Sequence, residues 1–123
     1  MSEDVVGLVF LLFSLAFLPA IGIFMTRQAA DGAIGRNGSS GIRTRHTQAS
    51  DAAWVAGHRA ALPVMTRMWT VAVVGAVVAV GAQLVAGEPA GILLGLGALL
   101  VQVLVLARAA SAANRAAQAV TGD

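Results

Sequence analysis

The residues able to do chemistry in this chain lie close together, between Gly41 and Arg59. Arg43, Arg45 and Arg59 are the cations there, His46 and His58 the titratable rings, and Asp51 the carboxylate. Thr44, Thr47 and Ser50 supply hydroxyls. The sequence has no cysteine, lysine or tyrosine, which removes thiol, amine and phenol chemistry. His46, Asp51 and His58 are metal-ligand types, but they lack a fourth ligand and a recognised spacing. Asp51 and His58 on one helix would stand about 10 Å apart, beyond the reach of a general-base pair. The glycine-rich stretch Asp31–Ser40 (DGAIGRNGSS) reads as a turn, and no lysine exists to make it a phosphate-cradling loop. Enzymatic activity, cofactor and metal are therefore not expected. Cationic recognition remains, of anionic lipid headgroups or of a protein surface that accepts arginine and tryptophan.

The elements that must position these residues are membrane spans. The chain is 58% hydrophobic and 11% charged, with mean hydropathy +0.81, and its apolar residues come in blocks. Val5 to Thr26 is uncharged and at roughly 1.5 Å per residue covers about 32 Å, enough to cross a bilayer. Further uncharged runs extend over 68–87 and 89–107. The acidic start, Glu3-Asp4, is unlike the basic start of a cleaved signal peptide. Residues 1–123 thus read as a single membrane module, with spans at about 5–26, 68–87 and 89–107. A cytoplasmic loop at 27–67 and a cytoplasmic helical tail at 108–123 complete it.

All eight basic residues are arginines, and they fall in two places. Arg27, Arg36, Arg43, Arg45, Arg59 and Arg67 lie between spans one and two, and Arg108 and Arg115 follow span three. The excess of positive charge on cytoplasmic loops places the N-terminus outside, the long loop inside, the Gly87-Glu88-Pro89 turn outside and the C-terminus inside. The high isoelectric point then reflects topology, and no nucleic-acid partner is expected. The spans carry no charge, which argues against a lone three-span monomer working as a pump or transporter.

Packing cues are sparse. Pro19 kinks the first span near its cytoplasmic end, and Gln83 and Gln102 are polar residues suited to bonding a neighbouring helix, unless Gln83 simply lies near the end of its own. Gly91 and Gly95 form a G-x-x-x-G pair that permits close helix contact, within the bundle or in a homodimer. Ahead of span two, Ser50 and Asp51 are the N-cap and first-turn acid of a helix that Pro63 interrupts or bends. Asp51, Trp54 and His58 share one face, and Ala52, Val55, Ala56 and Ala60 make a small apolar side. Such a helix suits the membrane interface, with Trp54 at headgroup depth. The alanine-rich tail has high helix propensity and continues span three, without showing what it touches.

Gly41-Ile42-Arg43-Thr44, Thr47, Ser50, Trp54 and His58-Arg59 resemble the G-I-R-T-x-x-T-x-x-S-x-x-x-W-x-x-x-H-R signature of the SdpI family. These are bacterial membrane proteins named after the immunity protein against a sporulation-delaying toxin. Gly57 stands where the family commonly has alanine, and the chain corresponds to a short, three-span form. The resemblance implies an all-α integral membrane protein of the bacterial inner membrane, with three transmembrane helices and an interfacial cytoplasmic helix between spans one and two. It also implies an immunity-type role. Three readings of the signature stay open: attraction to anionic headgroups, a structural role in which Arg43 bonds carbonyls at a span end, and a docking surface of Arg43, Trp54, His58 and Arg59. The partners expected are membrane lipids and another membrane protein or a cytoplasmic regulator, with homo-oligomerisation left open. A small accessory subunit and an oligomeric transporter or channel are the alternatives.

Overall fold

A computed structural model describes residues 2–122; Met1 and Asp123, the last residue of the expected tail, lie outside them. Four helices follow one another: α1 (Glu3–Ala30), α2 (Asp51–Met65), α3 (Arg67–Ala86) and α4 (Ala90–Thr121). Helices α1, α4 and the joined α2–α3 are each long and apolar enough to cross a membrane. The chain is an all-α, multi-pass membrane protein.

Helix α1 starts at Ser2, whose hydroxyl accepts the Val5 N–H at 3.2 Å, with Glu3 and Asp4 beside the positive end of the helix dipole. Leu8, Leu15, Pro19 and Ile23 form its buried stripe, while Phe10, Phe13, Phe17 and Phe24 stay exposed, as suits a lipid-facing side. Pro19 does not break the helix. It removes one N–H, however, and so frees the carbonyl of Leu15 four residues earlier. That carbonyl accepts the Gln102 Nε2–H from α4 at 2.8 Å. The same amide lies 3.3 Å from the Met68 carbonyl of α3. Gln102 is wholly buried and ties the three spans together where the proline leaves a backbone acceptor unpaired in hydrocarbon.

The glycine pair of α4 serves packing inside the monomer. A Cβ on Gly91 would lie 2.8 Å from the Ala79 carbonyl of α3, and one on Gly95 would press on Leu11 of α1 at 3.2 Å. Both glycines are buried, so a homodimer contact through them would require the bundle to open. Gln83 also finds its use here: its Oε1 accepts the Gly91 N–H at 3.2 Å, one of the first-turn donors that a helix leaves unpaired.

Two of the helical rods are longer than a bilayer is thick. The 32 residues of α4 and the 36 of α2–α3 extend about 48 and 54 Å, against roughly 30 Å of hydrocarbon. Their excess lengths lie at the same end and pack on each other along small residues. Ala61, Ala109 and Ala113 sit in one buried cluster with Ile23, Met65 and Met68, and Gly57 lets the Ala113 carbonyl approach. One side of α2 is thus packed against α4. Trp54, expected at headgroup depth, and His58 are 1% and 0% exposed and turned into protein, because the loop folds over them at Ile34, Gly41 and Ile42. Pro63 lies within α2, which passes into α3 through Thr66, whose N–H reaches the Leu62 carbonyl at 3.0 Å.

The opposite end of the bundle is acidic. Asp4 and Glu88 meet there, and their shared hydrogen bond raises the Glu88 carboxyl above its usual range, with desolvation and the Asp4 charge adding to the effect. The arginines of the loop and of the helix ends gather at the other end.

Candidate functional site

The loop from Asp31 to Ser50 has little regular structure, yet its backbone is held at many points. Thr44 and Thr47 clasp each other: the Thr44 N–H donates to Thr47 Oγ1 at 2.9 Å and the Thr47 N–H to Thr44 Oγ1 at 3.1 Å. Thr47, fully buried, donates its own hydroxyl to the Ile42 carbonyl at 2.8 Å. Thr44 donates to Asn114 Oδ1 on α4 at 2.8 Å, and Gln118, one turn on, meets His46 Nε2 at 3.0 Å. Ser50 accepts the Ala53 N–H at 3.0 Å and so starts α2.

Trp54 and His58 fix the other side of the loop. The Trp54 indole N–H donates to the Ile34 carbonyl at 2.7 Å. His58 uses both ring nitrogens: Nε2 accepts the Ile42 N–H at 2.9 Å, which leaves Nδ1 as the donor to the Trp54 carbonyl at 2.8 Å. The two rings lie 4.2 Å apart by their centroids. Gly41 passes over both with φ +104°, and a Cβ there would stand 2.8 Å from the indole and 3.0 Å from His58 Nε2. Only glycine fits that backbone and that gap, which accounts for the residue that opens the signature.

Burial keeps His58 below its usual 6.5, while the hydrogen bond to the Trp54 carbonyl acts in the opposite sense. Protonation would put a proton on Nε2, where the Ile42 N–H already points. Between the folded and unfolded values the unfolded chain binds more protons, so this ring stabilises the fold fully above 6.5 and less as the pH falls. We expect the unfolding temperature of the detergent-solubilised chain to drop from pH 7.5 to pH 5. His58→Asn should be less stable throughout but lose that part of the slope; an unchanged slope in the variant would refute the assignment.

The arginines lie outside this packed layer. Arg43, Arg45 and Arg59 are exposed. Arg43 is nonetheless positioned, with its guanidinium carbon 5.6 Å from the centre of the Trp54 ring and NH2 donating to the Arg36 carbonyl and to Gln48 Oε1 at 2.9 and 2.8 Å. These acceptors belong to the loop and are not carbonyls at a span end, the partners that the structural reading of Arg43 calls for. Asp51 is exposed and pairs with Arg36 at 2.9 Å, away from the buried His58.

The structure thus brings Gly41, Ile42, Thr44, Thr47, Ser50, Trp54 and His58 into one hydrogen-bonded layer, with Arg43 and Arg59 on its outer surface. Gly91 and Gly95 lie elsewhere, within the spans. Arg36, Gln48, Asn114 and Gln118 also build the platform, and reading the sequence did not single them out. The spacing of Asn114 and Gln118 was the available signal: two amides one helical turn apart in a row of alanines share a face.

The family model of the SdpI/YfhL protein family matches residues 33–108, which takes in the loop from Ala33, α2, α3 and α4 as far as Arg108. No curated protein and no solved structure matches the chain.

Proposed function

The chain belongs to the SdpI/YfhL protein family, and from that premise we propose that it is a non-enzymatic protein of the bacterial inner membrane that binds a protein partner through its basic loop. The observation that carries this reading is the division of labour within the signature. Its glycine, threonines, tryptophan and histidine are used up in fixing the loop, while Arg43, Arg45 and Arg59 remain exposed on a surface that is already ordered. An ordered surface loses little conformational entropy on docking, and arginine is a frequent anchor at interfaces. The segregation of charge supports an orientation with the arginine-rich end in the cytoplasm and the Asp4–Glu88 end outside. An immunity-type role is the physiological setting that the family suggests.

The test is a mild-detergent pull-down of the tagged chain beside Arg45→Ala/Arg59→Ala, which removes exposed charge and no packing. We expect a stoichiometric partner that falls away at least tenfold in the variant, at unchanged expression and unfolding temperature. A partner with its own spans would favour the accessory-subunit role, and protection of cells against an added toxin, lost in the same variant, would favour immunity. A partner fully retained by the variant would overturn docking through the loop.

A further inference from the structure

Arg67 and Arg108 take no part in the platform. They stand where α3 and α4 leave their apolar stretches, on different helices, yet they line one open groove of about 210 Å³. The rest of its wall is apolar: Val64, Val101, Leu104 and Val105. A second hollow adjoins it across Leu104 and Arg108, and Arg115 and Ser111 line that one. The only acidic residue in α2, α3 or α4 is Asp51, at the far end of α2 and already paired with Arg36.

We propose that this groove binds an anionic phospholipid, with its phosphate between Arg67 and Arg108 and an acyl chain on Val101, Leu104 and Val105. The arrangement matches both parts of such a molecule. Two guanidiniums at the boundary of the hydrocarbon face a phosphate at its own depth, and guanidinium is suited to phosphate oxygens. Immediately toward the bilayer centre the wall becomes aliphatic, and Val101 and Leu104 are 44% and 58% exposed, open to a chain running along the helix. Net charge then selects the lipid. A zwitterionic headgroup brings its own cation beside the two arginines, whereas a phosphatidylglycerol-type headgroup brings none. Nearby Arg115 is held by Ser111 Oγ at 3.0 Å, two turns beyond Arg108, and adds to the positive field. This site depends on the membrane-spanning helices and not on partner docking by the loop.

Native mass spectrometry of the detergent-purified chain, titrated with phosphatidylglycerol or phosphatidylcholine, tests the proposal. We expect one phosphatidylglycerol retained in preference to phosphatidylcholine. Arg67→Gln/Arg108→Gln should weaken that binding on the order of twenty- to thirty-fold, from the usual worth of two arginines at an anionic surface. Arg43→Gln/Arg45→Gln, which removes as much charge from the loop, should leave it within about twofold. Leu104→Trp, which fills the groove and keeps every charge, should also displace the lipid. Equal retention of the two lipids, an equal loss in the loop variant, or full retention by Leu104→Trp would each overturn the site.

Discussion

Trp54→Ala is expected to be the most destabilising single change in the basic end of the molecule, lowering stability by about 3–5 kcal/mol. Trp54 is the largest fully buried side chain among the described residues. Its removal opens a cavity between α2 and the loop, strips the Ile34 carbonyl of its indole donor and takes away the surface under Arg43 and against His58. The effects should separate in Trp54→Phe, which keeps most of the ring but not the N–H. An unpaired Ile34 carbonyl that water can partly reach costs about 1 kcal/mol, so the phenylalanine variant should retain most of the stability. The readouts are the unfolding temperature in detergent and the rate of proteolysis within residues 31–50. We expect Trp54→Ala to be cut there rapidly under conditions in which the spans stay folded. A loop that stays resistant in Trp54→Ala would mean that Thr44, Thr47 and Asn114 suffice to hold it, and that the indole is dispensable.

The spans were legible from the sequence because crossing a bilayer demands long uncharged blocks, and those blocks needed no tertiary information. The start of α2 was equally plain, since Ser50 and Asp51 act on backbone groups a few residues away. The pose of α2 was not. Trp54 on an amphipathic helix is compatible with a headgroup layer or with a protein groove, and the choice rested on how the loop folds back over it. Alanine gave α4 its helix propensity, but Ala109 and Ala113 became meaningful only once they met Gly57 and Ala61. The roles inside the signature were hidden for a related reason. Arg43, Trp54 and His58 were equally plausible as contacts, and only their burial separates the two that hold the loop from the one on its surface. Gln102 was recognised as polar within a span, yet its partner is a carbonyl freed by a proline 83 positions earlier, a pairing visible only in three dimensions.

That pairing predicts a specific non-additivity. Gln102→Leu keeps the volume roughly constant but leaves the Leu15 carbonyl without a donor in a site closed to water, and should cost about 2–3 kcal/mol. Pro19→Ala alone should cost little, because the alanine N–H restores the helical bond to the same carbonyl, which then has two donors. In the double variant the new N–H takes over the role of Gln102, so most of the loss should be recovered. The coupling between the two positions is expected at about 1–2 kcal/mol, the upper part of the range for hydrogen bonds between transmembrane helices. Unfolding of the four proteins in mixed micelles, followed through Trp69 on α3 in a Trp54→Phe background, gives the cycle directly. Additive effects would mean that Gln102 contributes by filling space. The orphaned Gln102 Oε1, buried with no partner among the described residues, argues that packing alone does not explain a glutamine there. Leucine would fill the position with no unpaired oxygen, so the amide is favoured only if its N–H has an acceptor that nothing else can satisfy, and Pro19 creates that acceptor.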